Sequence, residues 1–372
     1  MIVRKELATA RRVVVKVGSA LVTEDGKGLD PGFIASLAAQ ISTLRARDMD
    51  VVLVSSGSIV AGLAALDIQE RPTKINMLQA AAAVGQAALV RAYDDAFSAF
   101  KVQSAQVLLT HADIANRDRY LNARATLTSL ISLGVVSIVN ENDTVATEEI
   151  CFGDNDSLGA LVANLVDADA LIILTDQEGL YTADPRTDTS AKLLSEVSVN
   201  DSTIFDMATG GSRLGRGGMV TKLQAAKVAA RSGAATFIAS GRQPDVLVRL
   251  VDGEELGTFL IPSQRVSSKK QWMANQLKIS GQFILDAGAV RVLSESGRSL
   301  LPVGLRSVEG QFERGSLVSL CGPDGNQFGR GLTNYSSNDA ERIKGLSSES
   351  VRSMLGELAD AELVHRDHLV LF

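Results

Sequence analysis

Lys16 stands inside an apolar run, Val14-Val15-Lys16-Val17, and is followed at once by Gly18 and Ser19. An ammonium in such a run costs desolvation unless it emerges at a strand end or meets an anion. The small residues after it let a backbone come close to phosphate oxygens. Two readings stay open: an edge-strand lysine that snorkels to water, or a cation aimed at a phosphate. Val54-Ser55-Ser56-Gly57-Ser58 has the same build, a β-branched run entering a small-residue turn and then a helix. Backbone N–H groups at a helix start bind anions, and a serine there also serves as a plain N-cap.

Asn140-Glu141-Asn142-Asp143 follows the run Val135–Val139, and Gly153-Asp154-Asn155-Asp156-Ser157 opens the next helical segment. Carboxamides and carboxylates in such density recognise an amino group, a carboxylate or a metal-bound phosphate. Either cluster alone reads first as an Asx turn or a helix cap. Two of them within 17 residues favour a recognition site. Thr175-Asp176 ends another apolar run. Gly215-Arg216-Gly217-Gly218-Met219-Val220-Thr221-Lys222 is a glycine-rich entry to a helix with a lysine in its first turns, which suits nucleotide phosphates; a flexible surface loop is the alternative. There is no GxxxxGK[ST] and no GxGxxG after a strand, so neither a P-loop nor a dinucleotide fingerprint is present. His365-Arg366-Asp367 imitates a fragment of a protein-kinase loop but lacks its context.

These residues need a frame. The apolar runs Val13–Val17, Val51–Val54, Ala105–Leu109, Val135–Val139, Ala170–Leu174 and Ala235–Ala239 predict strands buried on both faces. Helical segments between them, such as Pro31–Arg47, Ile75–Phe100 and Met219–Ser232, predict a doubly wound, mainly parallel α/β sheet. Chemistry then belongs at the carboxyl ends of the strands. Past residue 262 the texture changes. A polar stretch over 263–276 reads as a linker. Short runs punctuated by glycine, Leu277–Ser280, Phe283–Leu285, Ala289–Leu293, Leu317–Leu320 and Gly329–Leu332, predict a small β-rich domain over 277–372.

Length and composition agree with two domains: 372 residues, 45% hydrophobic, 22% charged. The net charge of -6 argues against general affinity for nucleic acid or anionic membranes. Two cysteines, Cys151 and Cys321, make no disulfide framework, and no zinc spacing exists. The apolar run at the start is too short for a signal peptide and no stretch is long enough to span a membrane, so a cytoplasmic protein is expected.

Taken together, VVVKVGSA, VSSGS, NENDTVAT, GDND, LTDQEGLYTADPR and GRGGMVTKLQAAKVA resemble the amino acid kinase family over roughly residues 13–262, and within it the branch that phosphorylates the side-chain carboxylate of glutamate. The remainder, including LLPVGLRSVEGQFERGSLV, resembles a PUA domain. The resemblance implies ATP-dependent formation of L-glutamyl 5-phosphate, the first step of proline biosynthesis, with Mg²⁺ carried by ATP rather than by a protein cage. It implies that Lys16 and Lys222 contact the transferring phosphoryl group and that Asp156 organises them. Ser56, Gly57, Asn140, Asp143 and Asn155 would bind glutamate. Lys16, Gly18, Thr175, Asp176 and the segment Arg216, Gly217, Gly218, Met219, Val220, Thr221, Lys222 would hold ATP. It further implies a homo-oligomer, proline as feedback inhibitor, and handing of the product to glutamyl-phosphate reductase. Ser58 stands where the family often has alanine, and Arg216 where it often has threonine or a small residue. With both ammonium groups facing a solvated cleft, loss of either lysine would leave folding nearly untouched. Rival readings are another amino acid kinase, an RNA-binding protein and an inactive paralogue. Residues 275–372 carry 10 Lys and Arg against 12 Asp and Glu, which speaks against tight RNA binding.

Overall fold

The structure is a computed structural model that describes residues 3–24, 27–146, 155–209, 218–262, 279–296, 298–355 and 360–371. It divides into two compact units, Met1–Arg265 and Val266–Phe372. The linker expected over 263–276 lies outside the described residues, as do Gly153, Asp154, Gly215, Arg216 and Gly217. Among the described residues no helix is long and apolar enough to cross a membrane.

The first unit is built on an eight-stranded sheet. Its strands are β1 (Arg12–Val17), β2 (Asp50–Ser55), β3 (Ser104–Leu109), β4 (Val136–Glu141), β5 (Ala170–Thr175), β6 (Glu196–Ser198), β7 (Ala235–Ser240) and β8 (Thr258–Ile261), in the order β3-β4-β2-β1-β5-β7-β8-β6. All pairs are parallel except β7 with β8. The helices are α1 (Ser19–Val22), α2 (Pro31–Arg45), α3 (Ser58–Ala65), α4 (Ile75–Ser98), α5 (His111–Ala115), α6 (Arg117–Ser132), α7 (Asp156–Leu165), α8 (Thr203–Thr209), α9 (Met219–Ala230) and α10 (Val246–Val251). Val13, Val15, Leu53, Ile138 and Ile172 pack into one apolar cluster with Leu37, Ile41 and Tyr93. Val14, Val52, Val54, Val139, Leu171 and Ile173 pack into another with Leu158, Val162 and Leu223. The period-2 alternation of the strands therefore feeds a core on each face, which is why the central runs are mostly apolar, Lys16 and Ser137 excepted.

Three details correct the expectations. The run Ala105–Leu109 was expected to be buried on both faces, but β3 is an edge strand and mostly only half buried. Strand β4 begins and ends later than expected: Asn140 and Glu141 are its last residues, paired with Leu108 and Leu109, not the start of a loop. Strands β6 and β8 carried too little pattern to be expected at all, at three and four residues.

The second unit holds a five-stranded sheet, order β10-β9-β11-β12-β13, from β9 (Gly281–Leu285), β10 (Leu305–Gly310), β11 (Leu317–Cys321), β12 (Gln327–Leu332) and β13 (Leu369–Leu371). Its helices are α11 (Ala287–Ser296), α12 (Ser337–Ile343) and α13 (Ser348–Leu355). Its core gathers Phe283, Leu285, Leu305, Val318, Leu320 and Val364. Of the run Leu277–Ser280, residues 277 and 278 lie outside the described residues, and Ile279 and Ser280 are not strand. Ala289–Leu293, expected as strand, lies inside α11. Asp286 Oδ1 accepts from the Ala289 N–H at 2.7 Å, an N-terminal cap. Ala289, Val290 and Leu293 then face the core at helical spacing.

Candidate active site

Strand β1 lies between β2 and β5, well inside the sheet. Lys16 therefore has no sheet edge from which to reach water, and the edge-strand reading falls. The chain turns to opposite sides of the sheet at β1 and β5, so Lys16 sits at the topological switch point, where parallel α/β sheets place their ligands.

The lysine is only 4% exposed, and its Nζ lies 2.5 Å from Asp156 Oδ1. The other oxygen of Asp156 takes Lys222 Nζ at 3.0 Å. Asp156 is fully buried and Lys222 is 6% exposed, so neither ammonium faces an open, solvated cleft. Asp156 is the first residue of α7, where the helix dipole favours an anion. Lys222 lies in the first turns of α9, where the dipole disfavours a cation, and the carboxylate offsets this. The Thr221 hydroxyl is 3.0 Å from Asp156 Oδ2 and 2.8 Å from Gly218 O, and its one proton serves one of them at a time. Burial alone would raise the Asp156 pKa. The Lys16 and Lys222 ammoniums overrule it and hold the carboxyl at about 2.

What lets α7 come this close is Gly159. A Cβ there would lie 3.2 Å from Lys16 Cβ and 3.4 Å from Lys16 Cγ. The glycine is one turn after Asp156, on the same helix face, so the lysine stem passes under it to the carboxylate. Lys16 Nζ also lies within 3.9 Å of the position a Gly18 Cβ would take, which puts the ammonium beside the loop that follows β1.

Beside this triad a cavity of about 90 Å³ is lined by Ser19, Ser56, Gly57, Ser58, Arg71, Asn140, Glu141, Asp143 and Asn155, among others. All five residues expected to bind the acceptor substrate line it. Gly57 has φ 109, a left-handed conformation that turns the chain from β2 into α3. Asn155 precedes α7 but its side chain makes no cap. Its Nδ2 instead lies 2.9 Å from Ser55 O, 2.9 Å from Ser56 Oγ and 2.8 Å from Asn140 Oδ1. Ser58 Oγ donates to Asp143 Oδ2 at 3.0 Å. The Thr175 hydroxyl, at the end of β5, donates to Asp176 Oδ1 at 3.0 Å. Gly218, Met219 and Val220 form the entry to α9.

Sequence reasoning missed Gly159, Arg71 and Gln86. Gln86 Oε1 accepts from Asn140 Nδ2 at 2.8 Å. Its signal was its place: Leu78, Ala81, Ala82, Gly85, Gln86, Leu89 and Tyr93 form the buried face of α4 at helical spacing, and one carboxamide interrupts that apolar stripe. A larger cavity, about 680 Å³, lies in the second unit between α11 and Leu300–Gly304. None of the expected site residues lines it.

Two buried ammoniums bridged by one carboxylate, at the carboxyl end of a parallel sheet, carry a formal charge of +1 and suit the transfer of an anionic group. A family model for the amino acid kinase family matches residues 11–240, and one for the PUA domain matches 281–355. The chain belongs to the amino acid kinase family. It is similar over its whole length to glutamate 5-kinases: 56% identical over 370 residues to that of Burkholderia multivorans, covering 99% of this chain and 100% of the relative. Against that of Chromohalobacter salexigens it is 54% identical over 369 residues, covering 99% and 98%. Among solved structures, carbamate kinase from Giardia lamblia bound to AMP-PNP aligns with a TM-score of 0.50 at 18% identity, covering 69% of this chain and all of that one; that likeness concerns the fold alone.

Proposed function

We propose that this chain transfers the γ-phosphate of ATP to the side-chain carboxylate of L-glutamate, giving L-glutamyl 5-phosphate in the first step of proline biosynthesis. The observation that carries the reading is the Lys16–Asp156–Lys222 triad beside a cavity lined by Ser56, Asn140, Asp143 and Asn155, in a chain whose full-length relatives are glutamate 5-kinases. The catalytic unit on this reading is 1–262, with 263–276 as linker and 277–372 as an appended domain.

The chemistry follows from charge. A glutamate side chain is ionised at neutral pH, so one of its oxygens attacks the γ-phosphorus with no general base, and ADP leaves. The obstacle is an anion approaching a polyanion. Phosphoryl transfer is mostly positioning and charge neutralisation. Lys16 and Lys222 supply two positive charges at a separation fixed by Asp156. Both carboxylate oxygens of Asp156 already face ammonium groups, so this residue would not be the one to hold Mg²⁺; an ion carried by the ATP phosphates would supply further charge neutralisation there. Gly18, Thr175, Asp176 and the entry to α9 from Gly218 to Lys222 hold the nucleotide on this reading. Arg216 and Gly217 belong to the same segment.

Ser56, Gly57, Asn140, Asp143 and Asn155 hold the amino acid. A site that pairs an α-ammonium and an α-carboxylate leaves those groups unmatched when its own partners go. Asp143→Ala and Asn155→Ala therefore raise the KM for glutamate by about tenfold or more and the KM for ATP far less. A larger rise for ATP would move both residues to the other subsite. Proline shares the α-carboxylate, the amino function and a five-carbon skeleton with glutamate, so inhibition by proline weakens as glutamate rises. Inhibition independent of glutamate would place proline at a separate site. Assembly into a homo-oligomer is part of the same reading, and a light-scattering mass of a single chain would remove it.

A further inference from the structure

We infer that Gln86 is a positioning residue for the acceptor subsite: its side-chain oxygen fixes Asn140, and through Asn140 the amide of Asn155 at the cavity wall. This rests on the reading that the cavity takes glutamate.

A backbone group sets the orientation of both amides. The Glu141 N–H donates to Asn140 Oδ1 at 2.9 Å. A backbone N–H can only donate, so the Asn140 oxygen must face it, and the Asn140 amide nitrogen must face the other way. That nitrogen meets Gln86 at 2.8 Å. Gln86 must therefore present its oxygen, and the orientation of both amides is determined. The same Asn140 oxygen also accepts from Asn155 Nδ2. Asn155 Nδ2 has two protons and three acceptors in reach: Asn140 Oδ1, Ser55 O and Ser56 Oγ. The position of Asn140 decides how they are shared, and hence how Ser56 and Asn155 meet a substrate.

Packing does not explain a glutamine here. Gln86 is 9% exposed, on a helix face otherwise made of Leu, Ala, Gly and aromatic residues. Its Nε2 is buried and has no hydrogen-bond acceptor among the described residues. A buried amide half without a partner is costly, and a methionine would fill the space without that cost. The acceptor is what glutamine supplies. Its delivery depends on the residue before it. A Cβ at Gly85 would lie 1.9 Å from Ser58 O and 2.3 Å from Gly62 N, so the glycine brings α4 onto the first turn of α3 and carries Gln86 to Asn140, which lines the cavity. Tyr93, two turns on, hydrogen-bonds Ser55 Oγ at 2.9 Å and backs the same strand end.

The test uses the full chain and compares KM and kcat for glutamate and ATP. Wild-type protein is assayed first; if it releases no ADP in response to glutamate, the glutamate reading fails and this inference with it. With wild type active, Gln86→Met is expected to raise the glutamate KM about tenfold or more, with the ATP KM within about twofold. Added to Asn155→Ala, it is expected to worsen the glutamate KM by less than about twofold, because both changes break one network. A folded Gln86→Met chain with a glutamate KM within about twofold of wild type, or an additive double variant, would overturn the inference. If Gln86→Met does not fold, Gln86→Glu decides, since it keeps an acceptor and the volume. A glutamate KM within about fivefold of wild type is expected, and a rise of about tenfold or more overturns the inference.

Discussion

Lys16→Ala and Lys222→Ala each lower kcat by about 10²–10⁴-fold, the range for removing a charge that stabilises a phosphoryl-transfer transition state. The two lysines meet opposite oxygens of one carboxylate, so neither can take over the other's place without leaving its own. The loss falls on kcat more than on either KM, because the charge that matters develops as the phosphoryl group moves. The structure adds a cost that the sequence had not suggested. At 4% and 6% exposure, the lysines are interior groups, and removing one leaves Asp156 buried with a single ammonium. Each variant should also lose about 1–3 kcal/mol of stability. Steady-state kinetics and urea unfolding on the same preparations separate the effects. A lysine variant with near wild-type kcat removes that residue from the chemistry.

Asp156→Asn is expected to have the largest effect on stability. It keeps the shape of the side chain and removes the only anion of the triad, leaving Lys16 and Lys222 as two interior cations. Breaking a buried ion pair by deleting one partner costs about 3–5 kcal/mol. The pH dependence carries a definite sign. The folded-state pKa of Asp156 is depressed to about 2 by the two ammoniums acting against burial. A depressed carboxyl contributes stability that is complete above its unfolded value, about 4, and is lost as pH falls through the folded value. The gap in unfolding free energy between wild type and Asp156→Asn should therefore be full at pH 7 and shrink between about pH 4 and pH 2. A gap that is absent at pH 7, or that widens in acid, would contradict the ion-pair account.

The parts legible in the sequence were those where one physical signal dominates. Interior strands such as Val13–Val17, with Lys16 its one exception, and Ala170–Leu174 are apolar because both faces are covered, and their pattern survives without context. Lys16 stood out because a charge in such a strand has few explanations. Elements that depend on partners were harder. Strand β8 takes its place by antiparallel pairing with β7, a tertiary fact. The run Ala289–Leu293 alternates enough to pass for a strand, and its cap at Asp286 and one-sided burial make it helix. Asn140 looked like a loop residue because asparagine is rare in strands, yet β3 pairs it into the sheet. Gln86 showed only as a carboxamide in the apolar face of α4; its role lies in what Asn140 needs, and that partner is 54 residues away.

The most direct measurement is hydroxylamine trapping of the product with purified full-length chain, ATP and Mg²⁺, offering glutamate, aspartate or N-acetylglutamate in turn. Glutamate phosphorylated on its side chain is an acyl phosphate, and hydroxylamine converts it to the stable hydroxamate. Hydroxamate and ADP in equal amounts are expected with glutamate, and little of either with the other two. ADP release without hydroxamate, or a preference for aspartate or N-acetylglutamate, would contradict the proposed function.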